Sequence, residues 1–200
     1  AKLLMDLVAR SAAPAFHTLD VAKAREETRK LLTYFSPEPP PVATLRDLHV
    51  PREGEGGAIP ARLYRALGSD PAAQLPLLVF FHGGGWTVGD IDGYDPLCRA
   101  FANQAQCAVL SVDYRLAPEH PFPAAVDDAY TATSWAVRRA QDLGIDPGRI
   151  AVGGDSAGGN LATVTTMLAA DRGGPAIAFQ LLVYPATDQR SERPSQRRFG

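Results

Sequence analysis

The sequence is poor in several things, and each scarcity narrows the reading. Only two cysteines, Cys98 and Cys107, occur in 200 residues. Their spacing matches no structural metal site, so both read as free thiols, one on a helix and one at a strand start. No run approaches the ~18 consecutive apolar residues of a membrane span, and no stable membrane insertion is expected. AKLLMDLVAR, at the start, is too short and too charged for a secretory signal, so a reducing cytoplasm is the expected compartment. Excess charge is also missing. A net charge of -2 without a basic run argues against nucleic acid as a partner. Repeats and low-complexity tracts are absent. What is plentiful is apolar side chain, 46% of the residues, enough for the core of one domain.

The first 36 residues read as helical. Leu3, Leu4, Leu7 and Val8 form one apolar stripe. Thr18 is placed to cap a second helix whose predicted buried face is Val21, Ala24, Thr28, Leu31, Leu32 and Phe35. PEPPP (37–41) stops helix formation, because proline lacks the amide hydrogen and clashes with the preceding turn, and it marks a boundary. Beyond it, VATLRDLHV (42–50) and AIPARLYRA (58–66) alternate around a Gly-rich turn, the pattern of a hairpin. LPLLVFF (75–81) and CAVLSVDY (107–114) are apolar without alternation, as strands buried on both faces should be.

A helix is predicted from about residue 93 to 105. Another follows the Pro-rich RLAPEHPFP, with Phe122, Ala125, Val126, Ala129, Tyr130, Thr133 and Val137 at helical spacing. DPGR (146–149) turns the chain into the strand IAVGG. Residues 157–170 read as a helix and AIAFQLLVYP (176–185) as a final strand. The alternation of strand and helix predicts an α/β fold, a mostly parallel sheet with helices on both faces.

Two stretches carry chemistry. Gly154-Asp155-Ser156-Ala157-Gly158 fits G-x-S-x-G where a strand gives way to a helix. So sharp a turn strains the serine backbone and crowds the positions two residues either side, which must be glycine. Ser156 then stands above the sheet edge at a helix N-terminus, where amides and the helix dipole favour a developing anion. His82-Gly83-Gly84-Gly85-Trp86 follows the first buried strand. A loop almost without side chains brings its amides close to a reacting oxygen, which makes Gly84 and Gly85 two candidate oxyanion donors and Ala157 the third. The Lys and Ser/Thr of a phosphate-binding loop are missing. Asp155 reads as a brace for the elbow. Trp86 is a candidate for the substrate pocket or for plain packing.

HGGGW (82–86), DYRLAPEHPFPAA (113–125) and GDSAGGN (154–160), in this order, closely resemble the hormone-sensitive-lipase-like esterases. The resemblance implies an α/β-hydrolase fold, with a helical cap segment at 1–40 and a catalytic domain at 41–200. It implies a serine carboxylesterase of the EC 3.1.1 type, acting on short to medium acyl esters without metal or cofactor. Ser156 is then the nucleophile, and Gly84, Gly85 and Ala157 the oxyanion hole. Gly83, Gly154 and Gly158 support the motifs, and His82 braces its loop. Asp113, Tyr114, Arg115 and Glu119 correspond to a structural polar cluster.

One more thing is lacking: no histidine follows Ser156. The family's order is serine, acid, histidine. Neither His82 nor His120 suits the base, and His17 and His49 have no local support. The later acids Asp171, Asp188 and Glu192 are followed by no base. The expectation is a chain that lacks its C-terminal third, with acid and histidine beyond residue 200. The alternative is a catalytically dead binding protein on the same scaffold. A missing C-terminal segment or a partner chain is expected to cover the apolar edge at 176–185; a homodimer is a separate expectation.

Overall fold

The computed structural model describes residues 18–52, 57–188 and 194–199. The stripe predicted around Leu3 to Val8 lies outside them, as do His17 and Glu192. Six strands form one sheet: β1 (Thr44–Pro51), β2 (Ala58–Arg65), β3 (Leu75–Phe81), β4 (Ala108–Val112), β5 (Ile145–Asp155) and β6 (Phe179–Val183). Their order is β1-β2-β4-β3-β5-β6. The hairpin β1–β2 and the pair β2–β4 are antiparallel, and β4–β3, β3–β5 and β5–β6 are parallel. The helices are α1 (Val21–Phe35), α2 (Ile91–Ala105), α3 (Ala124–Arg138), α4 (Ala140–Leu143), α5 (Ala157–Asp171) and α6 (Pro194–Phe199).

Successive strand residues face opposite sides, so β3 serves two cores. Val79 and Phe81 pack with Leu110, Val112, Ala129 and Leu161 beneath α3 and α5. Leu78 and Phe80 pack with Tyr64, Cys98, Ala102 and Val109 beneath α2. This double burial is why β3 and β4 show no alternation. Both cysteines are free and buried, and burial pushes their thiols up, Cys98 to about 12 and Cys107 to about 11. No helix among the described residues is long and apolar enough to cross a membrane.

Five expectations are corrected. The cap of α1 is Asp20, whose Oδ1 accepts from the Lys23 amide at 2.8 Å, and not Thr18. The predicted apolar face of α1 is largely open: only Ala24 is buried, while Leu31 and Phe35 are 47% and 52% exposed. Polar contacts hold this helix instead. Arg25 forks onto Glu119 at 2.8 and 2.7 Å and donates to the Thr87 carbonyl at 2.9 Å. Arg29 pairs with Asp90 at 2.7 Å. Phe122 precedes α3 and is 86% exposed, so it is no part of that helix's buried face. The last strand is only Phe179–Val183; it lies at the sheet edge, with Phe179 63% exposed. DPGR falls inside β5, at a register shift opposite Leu75 and Leu77.

Candidate active site

β5 ends at Asp155 and α5 begins at Ala157, so Ser156 is the whole connection. Its backbone sits at φ 51, ψ -115, a positive φ that a residue with a side chain adopts only under constraint. The constraint is visible. The Ser156 amide donates to the Val183 carbonyl at 2.9 Å, and its carbonyl accepts from Asn160 and Ala186. A Cβ on Gly158 would overlap the Phe81 and His82 carbonyls, and one on Gly154 would overlap Phe81 and Gly158. The elbow is therefore pressed backbone to backbone against the end of β3, where HGGGW begins.

That loop is held against the elbow from its other side. The Gly83 amide donates to Asp155 Oδ1 at 2.8 Å, so Gly83 is committed to the brace. The next two glycines turn the chain, at φ 121 for Gly84 and φ 58 for Gly85. The Gly84 carbonyl accepts from Thr87 and Val88. Among the described residues, the amides of Gly84, Gly85 and Ala157 donate to no acceptor of the chain. Asp155 thus sits between the elbow and the loop, as a brace would.

His82 is fully buried and stacked on Tyr114, ring centroids 4.4 Å apart. Burial holds its pKa below the ordinary value, which keeps the ring neutral. Its Nδ1 lies 2.7 Å from the Gly83 carbonyl, and the Tyr114 hydroxyl donates to the His82 carbonyl at 2.6 Å. The histidine props the loop from below. Gly89, at φ 97, closes over the same ring: a Cβ there would sit 2.5 Å from Nδ1. Nothing in the sequence singled out Gly89. No histidine among the described residues hydrogen-bonds Ser156.

A cavity of about 520 Å³ lies beside the loop, lined by Trp86, Phe122, Val126, Asn160 and Val164 among others. Its wall is mostly apolar. Trp86, itself at φ 58, is half-buried, packs against the core and lines the edge of the cavity. Asn160, one turn beyond Ser156, donates to the Ala186 carbonyl at 2.9 Å.

Of the predicted polar cluster, Arg115 lies on Asp128 at 2.9 Å, and Glu119 faces Arg25. Asp113, just after β4, is different. Burial first, then the nearby Asp90 and Asp92 charges, raise its carboxyl to about 6, against the pull of Arg29 and Arg62. A carboxyl whose folded pKa lies above its unfolded value favours folding while protonated. That contribution is complete below about pH 4, is lost as pH rises to about 6, and stays lost above. Asp113→Asn is expected to remove this fall. Above pH 6 the variant should be more stable than wild type by on the order of 2 kcal/mol. Denaturant melts at pH 4.5 and 7.5 check it: equal pH dependence in both proteins would refute the assignment.

The model of a family described by its alpha/beta hydrolase fold matches residues 78–200. A carboxylic ester hydrolase of Mycobacterium tuberculosis, LipN, is 49% identical over 90% of this chain and 48% of its own length. An ethyl acetate hydrolase of Pseudomonas putida is 43% identical over 92% of this chain and 58% of its own. Among solved structures, an ester hydrolase from the metagenome of Lake Arreo, complexed with a derivative of bipyridine phosphonate, superposes with a TM-score of 0.90. It is 42% identical over 98% of this chain and 61% of its own. The chain spans about half the length of the curated relatives it matches.

Proposed function

We propose that this chain, which belongs to the α/β-hydrolase family in its hormone-sensitive-lipase-like branch, carries the nucleophile and oxyanion hole of a serine carboxylic ester hydrolase. The acid and histidine partners lie beyond residue 200. The substrates are short to medium acyl esters. The observation that carries this reading is the clamp between the two motifs: Asp155 binds the Gly83 amide immediately beside Ser156. Among the described residues, the amides of Gly84, Gly85 and Ala157 have no acceptor of their own.

Ser156 Oγ attacks the ester carbonyl carbon as the histidine takes its proton. The carbonyl oxygen becomes an oxyanion, held by the Gly84, Gly85 and Ala157 amides, and the N-terminus of α5 adds a positive field. The intermediate collapses, the alcohol leaves with the proton, and an acyl-enzyme remains on Ser156. Water, activated by the same histidine, attacks that ester and releases the acid. The mostly apolar cavity beside Trp86 supports an acyl or alcohol chain of modest length.

The direct test is a fluorophosphonate, which traps activated serines. One adduct is expected, mapped to Ser156 by peptide mass spectrometry and absent from Ser156→Ala. A full chain that takes up no adduct would favour a binding protein on this scaffold, the reading supported by the lack of any histidine bonded to Ser156 among the described residues.

A further inference from the structure

Tyr94 belongs to neither motif. It rises from the first turn of α2, whose cap Asp90 accepts from the Gly93 amide at 2.7 Å and is itself anchored by Arg29. Its hydroxyl donates to Asp155 Oδ2 at 3.1 Å and accepts from the Gly83 amide at 3.2 Å. That amide also reaches Asp155 Oδ1 at 2.8 Å. Hydroxyl, amide and carboxylate therefore close a ring of three hydrogen bonds between α2, the oxyanion loop and the elbow. The Tyr94 ring packs against Phe80 and His82, the residues leading into the loop, with centroids 6.0 and 5.5 Å away. Gly83 leaves no room to adjust: a Cβ there would lie 2.9 Å from the Asp155 Cγ. Burial, reinforced by the Asp155 charge, keeps the phenol protonated far above its ordinary range, so the donor is present at any working pH.

We propose that Tyr94 is a positioning residue: through Asp155 and Gly83 it fixes the register of the oxyanion loop, and so the aim of the Gly84 and Gly85 amides. The effect on rate rests on the ester hydrolase reading; the effect on the loop does not. Oxyanion contacts form only as charge develops, so a misaimed loop lowers kcat and leaves substrate binding nearly unchanged. Deleting a direct donor costs about 10²–10³ in kcat. Loosening two donors together without deleting either should cost about tenfold.

Tyr94→Phe keeps the ring and removes only the hydroxyl. In the full chain it should lower kcat about tenfold with KM within about twofold of wild type. Hydrogen exchange in the peptide covering residues 82–88 should speed up by about tenfold or more. Asp155→Asn should share this effect, so the double variant should be no slower than the slower single variant. That coupling also serves if Tyr94→Phe folds poorly alone. The proposal is overturned by a kcat within twofold of wild type, by KM rising in step with the loss of kcat, or by fully additive losses. A wild type without ester turnover would sink the hydrolase reading alone. Loop exchange in Tyr94→Phe would then decide: about tenfold faster keeps the positioning role, and unchanged exchange ends it.

Discussion

In the ester hydrolase reading, Ser156→Ala is expected to reduce ester turnover of the full chain by about a million-fold, the loss that follows when the nucleophile of a serine hydrolase is removed. The size of the effect follows from the absence of a substitute. The hydroxyls further along the same helix, Thr163 and Thr166, lie about two and three turns beyond Ser156 and donate to carbonyls of their own helix at 2.9 and 3.0 Å. The oxyanion amides survive the substitution, because they are backbone groups held by Asp155 and by glycine packing. Residual turnover should therefore remain about 10³–10⁴ above the reaction in water. Folding should barely change, since alanine needs no more space than serine, and it shares the same reluctance to take φ 51. Steady-state kinetics with a short-chain aryl ester, beside a thermal melt, separate the two. A variant that keeps wild-type turnover would remove Ser156 from the mechanism.

Asp128→Ala should cost about 3 kcal/mol of folding stability, toward the lower end of the range for breaking a buried ion pair. The carboxylate is almost fully buried on α3, its side chain 1% exposed, and two arginines from other elements converge on it. Arg52, after β1, donates at 2.9 Å, and Arg115, after β4, donates through side chain and backbone amide. Burial alone would raise its pKa, but these donors more than offset it and hold the carboxyl below its ordinary value. Such a group stabilises the fold above the unfolded pKa, near 4, and the contribution is lost as pH falls through the lower folded value. Alanine leaves both guanidiniums without this counter-charge; their partial exposure to water moderates the penalty. Asp128→Asn keeps an acceptor and should cost less. Equilibrium denaturation at pH 7 and at pH 3.5 would test both points. A loss under about 1 kcal/mol at pH 7 would show the cluster to be ornamental.

The motifs were legible because their requirements are local. Gly154 and Gly158 flank the serine for want of space, and a few residues of sequence display that need in full. The strands β3 and β4 were legible for a similar reason, since burial on both faces leaves an unbroken apolar run. What escaped the sequence depends on partners far along the chain. Leu31 and Phe35 obey helical spacing, yet α1 rests on Arg25 and Arg29, whose partners lie 94 and 61 positions away. Phe122 fits the period of α3 but sits among prolines that delay the helix. Tyr94 reaches Asp155 across 61 residues, and no pattern of neighbours announces such a contact. Asp20 displaced Thr18 as the cap because the helix begins immediately after it, a shift too small for spacing to settle.

The close approach of Gly158 and Gly154 to the Phe81 carbonyl has a consequence for engineering this protein. The reaction geometry is set by main chain touching main chain, whereas the cavity wall is made of the interchangeable side chains Phe122, Val126 and Val164. In the ester hydrolase reading, chemistry and selectivity are thus carried by separate parts. A library that varies the wall should retune which esters fit while the backbone scaffold stays in place. Variation at the two glycines should yield few survivors of any selectivity.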